Sequence, residues 1–192
     1  MRQPILFSTP IWMFPEQLPK GAYEWSLEYK RKELDSKIIS NRGGYQSIQK
    51  PWEEFKYKDH IDQILTNRFP SYKKFFVTDW WLNINGKGDY NLQHSHAGGL
   101  SACDFSGVYY AQVPKDSGAL VLINPDTVAL QQKIYFYENN KFNPFNSSKY
   151  TIVPKPMDLV LFSAHLCHHV LPSQNSKQFR ISYAFNFNIR KS

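Results

Sequence analysis

Six histidines occur in this 192-residue chain, and five of them stand in two short clusters, His94-Ser95-His96 and His165-Leu166-Cys167-His168-His169. Neutral imidazole is a strong donor to iron, copper, nickel and zinc. On an extended strand residues i and i+2 point to one side, so His94 and His96 can converge on a single ion. A mononuclear site that keeps positions open for reactants needs about three protein donors. The second cluster can supply the third, through His165, His168 or His169.

A second chemical feature follows at Arg180-Ile181-Ser182-Tyr183-Ala184-Phe185-Asn186. With a period of two, Arg180, Ser182, Ala184 and Asn186 share one face, and Ile181, Tyr183 and Phe185 share the other. One side is small and polar, headed by a guanidinium; the other is a packing face. Turned into a barrel, that guanidinium is costly unless it meets a carboxylate. No acidic residue shares its strand face, so a ligand carboxylate held by the planar fork is the natural partner. The plainer alternative is an Arg at a strand start that reaches solvent or a structural Asp. Tyr109 and Tyr110 are adjacent, so alternation turns one of them inward with its hydroxyl. Asn83 and Asn85 share a face and could line the same pocket or be polar surface.

The elements that must carry these groups change in character along the chain. Residues 21–37 lack an internal Pro and read as a helix. Residues 58–69 place Ile61, Ile64 and Leu65 on one helical stripe that Pro70 stops. Between them Asn41-Arg42-Gly43-Gly44 reads as a turn. From residue 75 onward the texture is of strands: 75–85, 105–113, 119–123, 149–153, 157–162 and 180–189, rich in β-branched and aromatic residues and separated by Gly, Pro, Asn and Asp. Two helices followed by six or more short strands predict an α+β, mainly β, single domain over 1–192. Residues 1–74 would form a helical support and 75–192 a barrel or sandwich.

Composition agrees with a globular chain: 42% hydrophobic, 20% charged and 16% aromatic residues. No apolar run reaches the roughly 20 residues of a membrane helix, and the first ten residues lack a signal-peptide core; a cytoplasmic setting with no membrane partner is expected. Two cysteines, Cys103 and Cys167, are too few for a disulfide framework and read as small buried residues. A net charge of +7 raises nucleic acid as a partner. The basic residues are scattered, however, and the densest group, Lys30-Arg31-Lys32, reads as a solvated helix face. Direct nucleic-acid binding is therefore a secondary reading.

With its His-x-His, distal His and Arg-x-Ser about ten residues later, the chain resembles the Fe(II)/2-oxoglutarate oxygenases, whose pattern is a His-x-Asp/Glu pair, a distal His and Arg-x-Ser. The chain is more closely similar to a group of such oxygenases from marine bacteria and phages. The likeness lies in Ser40–Ser47 (SNRGGYQS), Trp81–Asn85 (WLNIN), Gly88–His96 (GDYNLQHSH) and Ser106–Tyr110 (SGVYY). It continues through Leu161-Phe162, His168–Pro172 (HHVLP), Arg180-Ile181-Ser182 and Phe185-Asn186.

The resemblance implies a double-stranded β-helix (a jelly-roll, cupin-like barrel), iron(II) as metal, and 2-oxoglutarate as co-substrate. It also implies hydroxylation of a substrate coupled to decarboxylation of 2-oxoglutarate to succinate, in the cytoplasm of a bacterial cell or phage-infected host. It makes His94, His96 and His168 the metal ligands and leaves His165 and His169 as supporting or packing groups. Arg180 and Ser182 become the grip on the far carboxylate of 2-oxoglutarate, with Tyr110 and Asn83 as further co-substrate contacts. One departure matters: His96 stands where most of the superfamily has a carboxylate, so either it ligates or water takes the position. Asp104 is a further candidate carboxylate.

Two alternatives stay open. A cupin-type three-histidine dioxygenase, or a metal-binding barrel that uses no 2-oxoglutarate, fits Gly88 and His94-x-His96. The Glu of that signature is replaced by Leu100 and Ser101, and Arg180 would lack a role. The other alternative is a non-catalytic, virion-associated or nucleic-acid-binding protein on the same barrel. The prime substrate is unspecified: a protein side chain, a nucleobase, a lipid or a small molecule would fit. The sequence does not specify the oligomeric state.

Overall fold

The computed structural model describes residues 9–17, 19–70, 74–98, 103–126, 147–175 and 177–190. Among them are twelve strands, β1 (Ile11–Pro15), β2 (Asn41–Arg42), β3 (Tyr45–Gln46), β4 (Lys50–Pro51), β5 (Lys74–Asn85), β6 (Tyr90–His94), β7 (Phe105–Gln112), β8 (Leu120–Ile123), β9 (Lys149–Ile152), β10 (Asp158–Ser163), β11 (His168–Val170) and β12 (Arg180–Arg190). Two helices accompany them, α1 (Ala22–Lys32) and α2 (Lys58–Arg68). The larger sheet runs β1-β10-β7-β12-β5-β3 with β4 also on β5, and the smaller runs β2-β6-β11-β8-β9. This is the double-stranded β-helix.

The region 1–74 is less purely helical than its composition suggests. β1 adds to the edge of the large sheet by pairing with β10, Ile11 opposite Phe162 through Pro15 opposite Asp158. The Asn41–Gln46 turn crosses between sheets, with β2 on β6 and β3 on β5. Gly43 permits the crossing: its φ is +85°, and a Cβ there would overlap the Asp89 carboxylate. α2 forms as its stripe predicts, burying Ile61, Ile64 and Leu65. α1 stops at Lys32 rather than continuing to 37 because the following backbone finds a β partner: Lys37 N–H donates to Gln46 O, and Ser36 bridges Ser47. Both cysteines are half-buried rather than buried.

Strand alternation divides the large sheet into two working faces. Ile181, Tyr183, Phe185 and Phe187 of β12, with Trp80, Leu82 and Ile84 of β5, pack against α1, α2 and the segment between them. That layer is aromatic throughout: Phe55 lies 4.6 Å from Trp80 and 5.2 Å from Tyr183, ring centre to ring centre. Tyr183 Oη donates to Ala22 O at 2.9 Å and contacts Ser26 Oγ at 2.7 Å, pinning α1 to the central strand. The opposite face looks toward the small sheet and encloses a cavity. Among the described residues no helix is long and apolar enough to cross a membrane.

Gly107 of β7 lies directly opposite Phe185, and a Cβ there would overlap the Phe185 ring. Because that ring is fully buried, Gly107→Ala is expected to cost roughly 1–3 kcal/mol, the usual penalty of overpacking a filled core. Urea unfolding of the two proteins measures it.

Candidate metal centre and co-substrate pocket

His94 ends β6 and His168 opens β11, and the two pair directly across the small sheet. His96 lies beyond the strand, so the two histidines do not sit on one continuous strand as the spacing predicts. A hydrogen bond from His96 N–H to Ala164 O at 2.9 Å brings its ring back. The register between β11 and β6 also slips, His168 facing His94 and Val170 facing Asn91. This bulge turns both Asn91 and His94 toward the cavity.

The three imidazoles converge: a donor atom from each lies within 4.8 Å of the others. His94 Nδ1 contacts Leu92 O and His168 Nδ1 contacts Leu166 O, each at 2.8 Å. A carbonyl can only accept, so each Nδ1 carries the proton and each Nε2 keeps its lone pair for a metal. His96 Nε2 is 3.3 Å from His168 Nε2; two nitrogens bound cis at ~2.1 Å to one ion would stand roughly 3 Å apart. His96 is held instead by stacking, 5.5 Å from the Trp81 ring and 5.1 Å from His168. Burial lowers all three basicities, at His94 against the Leu92 hydrogen bond; at His96, lowered to about 4, and His168, lowered to about 3, neighbouring imidazoles add to it. At neutral pH the cluster is three neutral donors.

The same cavity is walled by Trp81, Asn83, Tyr110, Arg180, Ser182 and Ala184 of the large sheet. Their positions follow from register: Ser182 faces Asn83 on one side and Tyr110 on the other, and Ala184 faces Trp81. Arg180 is only 2% exposed, and among the described residues no Asp or Glu lies within ion-pair distance. Its guanidinium lies over the Tyr110 ring at 4.9 Å. Both Arg180 Nε and Tyr110 Oη are buried without a hydrogen-bond partner. Burial pushes the Tyr110 hydroxyl's pKa up, against the pull of Arg180, so it stays a donor. A fixed cation and an unused hydroxyl thus share one cavity with three imidazoles, a donor set that fits a metal ion and a carboxylate ligand. Leu120, Phe162 and Val170 supply apolar wall.

The model of the family described as "Putative 2OG-Fe(II) oxygenase" matches residues 79–186. The chain belongs to this 2OG-Fe(II) oxygenase family. Its cofactor and co-substrate are accordingly iron(II) and 2-oxoglutarate. The fold of the oxygenase is similar to that of a Pseudomonas putida prolyl-4-hydroxylase, 17% identical, with a TM-score of 0.60 over 97% of this chain and 96% of that one. It is also similar to a Trichoplax adhaerens prolyl hydroxylase solved with a hypoxia inducible factor peptide, 15% identical, TM-score 0.62, covering 93% and 83%. A viral collagen prolyl hydroxylase from Paramecium Bursaria Chlorella virus-1, solved with 2OG, gives 15% identity and a TM-score of 0.56 over 93% and 96%. No curated protein sequence matches the oxygenase.

The remaining candidates lie elsewhere. Asn85 is buried but outside the cavity wall. Asp104 accepts the Ile189 N–H at 3.0 Å, which fixes the end of β12. His165 is exposed and bonded to Ser163 Oγ at 2.8 Å. His169 points away from the cavity with a buried, unpartnered Nδ1. Among the polar and aromatic cavity residues, Trp81, Asn91, Ser40 and Ser106 were not singled out from sequence. Trp81 shares a strand face with Asn83 by alternation, and that signal was available.

Burial of the neutral imidazoles makes the metal-free oxygenase acid-sensitive. The unfolded chain protonates these groups near their ordinary 6.5, whereas the folded chain resists until about 4 at His96 and about 3 at His168. Between those values the unfolded state binds more protons, so stability rises with pH. It is complete above the upper value and lost as pH falls through the window. The urea midpoint of metal-free protein is expected to drop from pH 7 to pH 4, and to drop less in the His96→Gln, His168→Gln double variant.

Proposed function

We propose that this oxygenase hydroxylates an organic substrate while 2-oxoglutarate is oxidatively decarboxylated to succinate, with His94, His96 and His168 holding the iron. Bound there, iron(II) supplies the oxygen chemistry that amino-acid side chains lack. The protein's part is placement. Arg180 and Ser182 take the far carboxylate of 2-oxoglutarate, and the Tyr110 hydroxyl and Asn83 amide line the path between that anchor and the imidazoles. Apolar groups at Leu120, Phe162 and Val170 limit water and strengthen the electrostatic grip.

The observation that carries this reading is the buried guanidinium without an acid. A three-histidine dioxygenase that uses no 2-oxoglutarate would leave Arg180 desolvated for no purpose, which disfavours that alternative.

Removing one partner of a buried ion pair costs about 3–5 kcal/mol, and a hundredfold change in affinity is only about 2.7 kcal/mol. Arg180→Ala is therefore expected to raise the 2-oxoglutarate midpoint at least a hundredfold in calorimetric titration while iron stoichiometry is unchanged. Arg180→Lys should fall between, keeping charge and losing the fork. Equal midpoints in Arg180→Ala and wild type would sink the reading.

A second expectation concerns the metal. His94→Ala and His168→Ala should each abolish iron binding by elemental analysis. His96→Ala should weaken it less, since water can enter the position of a ring whose Nδ1, unlike those of His94 and His168, is not fixed by a carbonyl.

A further inference from the structure

The inward face of the central strands continues past the metal, at the end opposite Arg180, into a polar arrangement that neither iron nor 2-oxoglutarate uses. Along β12 the inward positions run Arg180, Ser182, Ala184, Asn186. Asn186 stands in register between Asp79 of β5 and Ser106 of β7. Asn186 and Ser106 are buried and Asp79 is half-buried. Ser106 lines the cavity together with His96 and Trp81. Asp79 is two residues from Trp81 on the same strand face, about 7 Å along it. β5 also carries an extra residue here, the pairing passing from Asp79 to Val77 and skipping Thr78. Bulges of this kind re-aim side chains beside sites.

The direction of the hydrogen bonds is fixed from one end. A carboxylate can only accept, so Asn186 turns its Nδ2 to Asp79, 3.3 and 3.2 Å from the two oxygens. Its Oδ1 is then the acceptor for Ser106 Oγ at 3.0 Å. Ser106 thus directs its proton to Asn186, with the Cys103 thiol also within hydrogen-bond reach of its hydroxyl. Asp79 also accepts a hydrogen bond from Thr78 Oγ1 at 2.6 Å. Among the described residues no Lys or Arg lies within ion-pair distance of it.

We propose that this acceptor-rich wall binds the prime substrate, and that the substrate class is a cationic amine whose N–H donors meet Ser106 and Asp79. Asp79 is the specificity-determining residue, and Asn186 carries its polarity to the cavity wall. The inference rests on the oxygenase reading. It gives the site two sides of opposite preference: a guanidinium in the cavity wall that takes an anion and, beyond Ser106 and Asn186, a carboxylate that takes a cation.

The test uses the full chain loaded with Zn(II) and 2-oxoglutarate, titrated with n-butylammonium, 1-butanol and butyrate. The readout is the indole N–H resonance of Trp81, assigned with Trp81→Phe. Butylammonium is expected to shift it saturably, with 1-butanol far weaker and butyrate silent. Asp79→Asn should weaken butylammonium about tenfold or more, the worth of one charge-assisted contact, and leave the 2-oxoglutarate midpoint where it was. Three probes binding alike, or superimposable butylammonium titrations in wild type and Asp79→Asn, overturn the proposal. Should Asp79→Asn fail to fold, Ser106→Ala carries the same comparison: weakened butylammonium binding supports the wall, and unchanged binding overturns it. Wild-type protein that loads neither Zn(II) nor 2-oxoglutarate would overturn the oxygenase reading instead; the probe titration on the metal-free chain then still decides for or against the amine wall.

Discussion

A guanidinium that has left water needs an anion, and Arg180 has none of its own among the described residues. Much of the site can be understood from that one uncompensated charge. Desolvating it costs several kcal/mol, and the fold bears the cost by packing around it rather than by pairing it. Tyr110 lays its ring against the guanidinium, which recovers part of the loss through the aromatic face. A native Asp at Asn83, the position opposite Ser182, would neutralise the charge and stabilise the empty protein. It would also compete with the carboxylate of 2-oxoglutarate.

Such strain needs a stiff frame, and the same strand supplies it. Every second residue of β12 faces the cavity, and the residues between them enter the aromatic layer beneath α1 and α2. Moving Arg180 or Ser182 would drag Ile181 and Tyr183 out of that layer, and Tyr183 is tied to α1 through Ala22 and Ser26. The helices line no part of the cavity, but they fix the register of the strand that does. The high aromatic content of the chain has this structural use: large flat groups fill a sheet-to-helix gap at low rotamer cost.

Most of this was legible locally. The alternation in β12, the stripe Ile61-Ile64-Leu65 and the strand texture after residue 75 depend only on periodicity, and periodicity survives folding. Edge strands carry no such pattern. β1 is five residues whose partner, β10, lies nearly 150 positions away, and β2, β3 and β4 are two residues each. The end of α1 was misjudged because a distant β partner outbid helical continuation at Ser36 and Lys37. At the site, residue identity was readable and conformation was not. His94 and His96 were paired by strand geometry, yet the strand ends at His94, and His96 reaches the cluster through the Ala164 carbonyl and the Trp81 ring.

The third imidazole also changes the charge at the centre. Two imidazoles and a carboxylate would leave a divalent ion with one net positive charge, whereas three neutral imidazoles leave it with two. Arg180 adds a third positive charge within the same cavity. The dianion of 2-oxoglutarate cancels two of them, one at each of its ends, so one positive charge remains at the metal. No acid stands among the residues that line the cavity to offset it. On the proposed ligand set, His96 in place of the usual acid thus leaves the metal one positive charge more than two imidazoles and a carboxylate would.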